Sequence, residues 1–156
     1  MIEIKNLTKR YGDLLAVDSI SFTVAPGEVL GFLGPNGAGK STTMKMIAGF
    51  LTPSDGSISV CGFDVEKQPL EAKRCIGYLP EGAPAWGEMT PAGFLSFIAD
   101  IRGIAPGVRE KRIREVVARL GLERVFEQPI ETLSKGFKRR VGIAQAILHD
   151  PKVLVL

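Results

Sequence analysis

Gly34-Pro35-Asn36-Gly37-Ala38-Gly39-Lys40-Ser41 sets a glycine, four residues and a Gly-Lys-Ser triplet between two segments of different character. Upstream, Val29-Leu30-Gly31-Phe32-Leu33 is short and almost wholly apolar, the composition of a strand buried on both faces of a parallel sheet. Downstream, Ser41 to Phe50 holds the helix formers Met44, Lys45, Met46 and Ala48, closed by Gly49 and Pro53. Strand, glycine turn and helix in that order form the setting in which such a loop holds phosphate. Gly34, Gly37 and Gly39 can bring backbone N–H groups against phosphoryl oxygens with no Cβ in the way. The helix start adds unpaired N–H groups and the positive end of its dipole. Lys40 supplies a point charge for the β and γ phosphates, and the Ser41 hydroxyl is a ligand for Mg²⁺. The expected ligand is a nucleoside triphosphate with Mg²⁺.

Working outward, the N-terminal third reads as strands with one buried face. Ile2 and Ile4 alternate with Glu3 and Lys5, and Ile20, Phe22 and Val24 alternate with Ser21 and Thr23. Ser57 to Val60 and Ile76 to Leu79 are further strand candidates. Beyond them the period changes. Thr90-Pro91 is an N-cap and first helical position, followed by Phe94, Phe97, Ile98 and Ile101 at helical spacing. A second helix carries Ile113, Val116, Val117 and Leu120 and stops at Gly121. A third, from about residue 135 to 149, carries Val141, Ala144, Ile147 and Leu148. Val153-Leu154-Val155-Leu156 reads as a buried strand.

Composition narrows the class. The chain has 156 residues, 45% of hydrophobic type, enough apolar material for a sizeable core. No run approaches the roughly 18 to 20 apolar residues that span a bilayer, and the start lacks the apolar block of a signal peptide. A soluble chain of cytoplasmic type is expected. The net charge of +3, from 20 basic and 17 acidic residues, is too mild to point to nucleic acid. Lys138-Arg139-Arg140 has no interleaved aromatics and adds little to that case. Cys61 and Cys75 have no companion ligands and read as small reduced core residues. The run from Arg109 to Glu115 reads as the solvated face of an amphipathic helix, and His149 as a helix C-terminal residue.

The phosphate loop alone leaves open transporter ATPases, nucleotide kinases, GTPases and recombinases. Two more stretches resolve the choice by resemblance. Tyr11 follows Lys9-Arg10 ahead of the loop. Leu133-Ser134-Lys135-Gly136-Phe137 precedes a helix and the strand ending at Leu156. Together with Gly34 to Thr42, these make the whole chain resemble the ATP-binding subunit of ABC transporters, in an ABC-2 exporter-like form. The resemblance implies an α/β P-loop NTPase of the ABC ATPase type, with an N-terminal antiparallel β subdomain and a helical insert. It divides the chain into residues 1–87 for the β subdomain and P-loop core, 88–132 for the helical subdomain, and 133–156 for the signature helix and the start of the Walker B strand.

The resemblance also implies roles. Tyr11 stacks on adenine; Gly34, Pro35, Asn36, Gly37, Ala38, Gly39, Lys40, Ser41 and Thr42 hold the phosphates of ATP; Ser134 and Gly136 serve the nucleotide of a partner domain. Ile76-Gly77-Tyr78-Leu79-Pro80-Glu81 resembles the Q-loop segment, with Glu81 where most relatives have glutamine. Glu81 and Ser41 are the expected Mg²⁺ ligands, and Lys40 and Glu81 the expected catalytic residues. Lys135 and Phe137 depart from the family's usual Leu-Ser-Gly-Gly-Gln. The stretch Gly82 to Met89, with Trp86 and Met89 as anchors, is expected to face a membrane subunit. The implied partners are a second ATPase subunit and membrane-spanning permease subunits, with no nucleic acid, on the inner face of the cell membrane.

The resemblance further implies that the sequence stops short of the Walker B acids and of a central strand. It is therefore expected to lack part of the core, to bind better than it turns over, and to be marginal when expressed alone. A nucleotide-binding module without turnover, or a soluble ABC protein without a transport role, are the alternatives.

Overall fold

The computed structural model describes residues 1–80, 82 and 86–156, and the chain divides into two compact units, Met1–Ile76 with Val155, and Gly77–Leu154 with Leu156. In the first unit, β1 (Ile2–Tyr11) and β2 (Leu14–Val24) form an antiparallel hairpin running from the pair Ile2 and Val24 to the pair Tyr11 and Leu14. On its other edge β1 pairs antiparallel with β3 (Asp55–Val60), which pairs with the two-residue β4 (Phe63–Asp64), giving the order β2-β1-β3-β4. The alternation of the sequence becomes the two faces of this sheet. Ile2 lies opposite Val60 and Ile4 opposite Ile58, and all four are buried with Leu7. The register slips between Lys5 and Thr8, where Asn6 has a φ of +49°. Gly56 fills this slip at a φ of +88°; a Cβ there would stand 2.5 Å from the Lys5 and Asn6 carbonyl oxygens.

Helix α1 (Lys40–Ile47) buries Thr43, Met46 and Ile47. It ends as expected at Gly49, whose φ of +70° lets the Phe50 amide donate to the Lys45 carbonyl at 2.8 Å. Helix α2 (Pro69–Cys75) runs directly into β5 (Ile76–Tyr78).

In the second unit, α3 (Pro91–Ile101), α4 (Pro106–Leu120) and α5 (Lys135–Ile147) enclose a core of Phe94, Leu95, Val116, Leu122, Val141 and Leu148, among others. Local signals place each end. Thr90 Oγ1 accepts from the Gly93 amide at 3.2 Å, Gly121 takes a φ of +61°, and Ser134 caps α5. Short 3₁₀ turns at Glu123–Val125 and Ile130–Thr132 connect α4 to α5. The last strand, β6 (Val153–Val155), forms a two-stranded sheet with β5.

Four sequence expectations need correction. Val29 to Leu33 is not a strand: neither sheet takes it in among the described residues, and Val29 and Leu33 are each 95% exposed. A run built to be buried on both faces needs a strand on either side, and the described residues place none beside it. The final strand is buried on one face only, through Val153 and Val155, while Leu154 and Leu156 are exposed. Cys61 and Cys75 are half-buried, not core residues; Cys61 sits at a φ of +53° in the turn between β3 and β4. The run from Arg109 to Glu115 is not wholly solvated, because Arg112 turns inward to carbonyl groups at the end of α5.

Candidate functional site

Residues 34–39 form an exposed loop leading into α1. Gly37 and Gly39 have φ values of +86° and +80°, a conformation costly to any residue with a Cβ. Gly39 is under a second constraint. A Cβ on it would lie 2.3 Å from the Ala16 carbonyl oxygen and 3.0 Å from Val17 Cγ2, so the loop is seated on β2 by the lack of a side chain. Thr43, one turn into α1, is buried; its Oγ1 donates to the Gly39 carbonyl at 3.0 Å, beside the bond from its own amide at 2.9 Å. Neither Ala16 nor Thr43 stood out in the sequence. The spacing of four from Gly39 to Thr43 is the signal from which the hydroxyl bond could have been read.

The Lys40 ammonium donates to the carbonyl oxygens of Gly34 and Pro35, each at 2.7 Å. Its charge is thereby folded back over the loop. Gly39 is the N-cap of α1 and provides no side-chain acceptor, so the first-turn amides stay free of a side-chain cap. Ser41 is exposed on that first turn and Thr42 half-buried behind it. An open loop of positive-φ glycines, an ammonium inside it and an uncapped helix start fit a polyphosphate chain with its divalent cation. Backbone donors and the Lys40 ammonium are suited to phosphoryl oxygens, and the Ser41 hydroxyl is a suitable oxygen ligand for such a cation.

Tyr11 closes β1 in the same unit; the residue is 49% exposed, and the Lys9 ammonium stands 5.3 Å from its ring centroid. In the second unit, Ser134, Lys135 and Gly136 are exposed at the start of α5. Ser134 Oγ accepts from the Phe137 amide at 3.4 Å, and no acidic residue occupies the first turn. Phe137 packs partly on the helical core, with the Arg140 guanidinium 5.2 Å over its ring. That packing accounts for an aromatic residue where the family usually has glutamine. Lys138 donates to the Glu131 carbonyl at 2.8 Å, so two of the three clustered basic residues serve the fold.

Glu81, the expected metal ligand, lies outside the described residues, as do Ala83, Pro84 and Ala85 of the expected interface stretch. Trp86 is 57% exposed and meets Phe97 and Phe94 edge-on, with centroids 5.1 and 6.1 Å apart. It borders a cavity of about 650 Å³ lined also by Met89, Phe97, Glu88 and Glu131. Among the described residues no group of three or more His, Cys, Asp or Glu side chains is placed to hold a metal, and no helix is long and apolar enough to cross a membrane.

A glycine loop of this geometry, seated on β2 and opening onto α1, has the geometry of a nucleotide-binding P-loop. The class narrows further by comparison: a family model described as ABC transporter matches residues 17–156, and the chain belongs to that family. It is 36% identical over all 156 residues to the probable multidrug ABC transporter ATP-binding protein YbhF of Escherichia coli K12, 27% of which it spans. It is 38% identical, again over its full length, to the linearmycin resistance ATP-binding protein LnrL of Bacillus subtilis, spanning 50% of it. The solved structure of an ATP-binding subunit of an ABC transporter superposes with a TM-score of 0.86 at 33% identity, over 96% of this chain and 62% of the other. CbiO1 of Clostridium perfringens, described as part of the ABC transporter complex CbiONQ, superposes at 0.83 with 29% identity, over 98% and 63%. The architecture is thus that of an ABC ATPase cassette, and the chain spans about half the length, or less, of the curated relatives first matched.

Proposed function

We propose that the protein carrying this chain is the ATP-binding subunit of an ABC transporter of the exporter type. The observation that carries this reading is the loop itself. Gly37 and Gly39 sit at positive φ, and the Lys40 ammonium rests on the Gly34 and Pro35 carbonyls at 2.7 Å, where phosphate oxygens compete for it. Residues Gly34 to Thr42 hold the phosphates. Lys40 exchanges its two carbonyl acceptors for the β and γ phosphoryl oxygens, a gain because an ion replaces neutral acceptors. Ser41 and Glu81 supply oxygen ligands for Mg²⁺, which when bound neutralises charge developing on the transferred phosphoryl group. Tyr11 offers its exposed ring to adenine.

Ser134 and Gly136 serve the γ-phosphate held by a second copy, since the exposed start of α5 has free amides and no acid to repel an anion. The solved neighbour described as a dimeric ABC transporter cassette has the same fold, with a TM-score of 0.87 at 24% identity. Closure of such a dimer, driven by ATP and reset by its hydrolysis, is passed to membrane-spanning permease subunits on the inner face of the membrane. Trp86 and Met89 lie on the face offered to them.

Titration calorimetry with Mg-ATP, paired with a phosphate-release assay, tests the reading. The protein is expected to bind Mg-ATP and Lys40→Met to abolish most of the heat. Absence of heat, or a Lys40→Met variant that binds as well as the parent, overturns the assignment of the loop.

A further inference from the structure

The end of β1 is fastened more firmly than a surface strand end needs. The Ser54 amide donates to the Thr8 carbonyl at 2.8 Å, and the Arg10 amide donates to Ser54 Oγ at 3.0 Å. The Lys9 ammonium then reaches across to the Thr52 carbonyl at 2.7 Å while standing 5.3 Å from the centre of the Tyr11 ring. The Tyr11 backbone is paired with Leu14 across the hairpin, and the residue is half exposed. A lysine held between a carbonyl and a ring gives up most of its rotamer freedom, and the fold recovers little, since a backbone bond and a bond to the Ser54 hydroxyl already tie this corner. The arrangement does one thing those bonds do not. It places a cation over one face of Tyr11, a residue that is about half exposed.

We propose that Lys9 is a positioning residue for the nucleotide base: anchored on Thr52, its ammonium closes one face of Tyr11 and fixes the ring so that a purine stacks on the other. This rests on the reading of Tyr11 as the base platform and extends it to a residue with no assigned role. The physics has two parts. A ring with one face occupied has only one productive stacking geometry, so less order is imposed when the base arrives. The cation also draws π density toward its own side, which eases repulsion between the outer face and the π cloud of a purine.

The discriminating ligands are Mg-ATP and magnesium tripolyphosphate, which presents the same three phosphoryl groups without sugar or base. Affinity for both is measured by calorimetry on the protein and on Lys9→Met, Lys9→Arg and Tyr11→Ala; Lys9→Gln replaces the methionine variant if that one does not fold. Lys9→Met is expected to weaken Mg-ATP about two- to fivefold, the scale of an exposed cation–π contact, and to leave tripolyphosphate unchanged. Lys9→Arg is expected to restore the parent affinity, because a guanidinium also stacks on a ring. Equal weakening of both ligands shows Lys9 acting on the fold or on phosphate and overturns the proposal, as does no weakening of either or failure of arginine to restore. If Tyr11→Ala shows no loss specific to Mg-ATP, the platform reading itself falls and Lys9 with it. If Tyr11→Ala shows that loss and Lys9→Met does not, only the role of Lys9 falls.

Discussion

The guanidinium of Arg112, midway along α4, donates from Nε to the carbonyl of Leu148 at 2.9 Å, at the end of α5. The same group reaches the Ile147 carbonyl at 3.1 Å and Asp150 Oδ1 at 2.9 Å. A helix C-terminus leaves carbonyls without partners and carries a partial negative charge, so one cation meets both needs there. The helix whose other end presents Ser134 and Gly136 is thereby pinned to its neighbour. Arg112→Ala is expected to destabilise the protein by about 1–2 kcal/mol, the scale of charge-assisted bonds reduced for partial solvent screening. Arg112→Lys should recover only part of that, because one ammonium cannot span the three acceptors. The urea midpoint reads both.

Gly39 is constrained twice, by its φ of +80° and by the Ala16 carbonyl 2.3 Å from where a Cβ would stand. Gly39→Ala therefore has to lift the loop from β2 as well as bear left-handed strain of about 1–2 kcal/mol. Mg-ATP affinity is expected to fall at least about tenfold, which corresponds to 1.4 kcal/mol. Gly37→Ala shares only the strain, since nothing lies within 4 Å of its Cβ position. It is expected to do less harm in the same calorimetric titration.

Thr43→Val keeps the shape of a buried side chain and removes the 3.0 Å bond to the Gly39 carbonyl. That carbonyl still accepts from the Thr43 amide. A loss of about 1 kcal/mol in unfolding free energy is expected, measured by denaturant titration, with nucleotide affinity changed far less than by Gly39→Ala.

The Asp64 carboxyl is held below its ordinary value of 3.8, chiefly by the bond from the Lys67 amide, opposed by partial desolvation and aided by the Glu66 amide. A lowered value in the folded state brings stability that is complete above 3.8 and is lost as pH falls through the lowered value. Asp64→Asn is therefore expected to be less stable than the parent near neutral pH, with the gap closing under acid. A gap in melting temperature that stays constant from neutral pH to below pH 3 contradicts this.

Trp86 is the sole tryptophan and is 57% exposed. Its emission is expected to lie toward the red and to be quenched readily by acrylamide. Protection typical of a core tryptophan contradicts the open placement on which the proposed docking of a membrane subunit at Trp86 and Met89 depends.

Elements whose signals are local were legible before any coordinates. Thr90 followed by Pro91, the αL glycines at 49 and 121, and Ser134 each act within about one helical turn, so neighbours along the chain suffice to read them. The alternation in Ile2 and Ile4, and again in Ile20, Phe22 and Val24, likewise located β1 and β2. Readings that depended on a distant partner went astray. Apolar character alone cannot say whether Val29 to Leu33 has strands beside it, whether Leu154 is covered, or that Arg112 leaves its charged neighbours to cap another helix.

What the order of residues determined unaided was the make-up of the glycine loop: three glycines, a lysine and a serine at fixed intervals, because backbone freedom and side-chain charge are properties of each residue type. What only the tertiary structure decided was where that loop rests and what surrounds it. Gly39 lies against Ala16, and Lys9 reaches the Thr52 carbonyl, across separations no local pattern encodes. Such contacts follow from how strands pair and helices pack, and those are settled by burial and hydrogen bonding over the whole chain together.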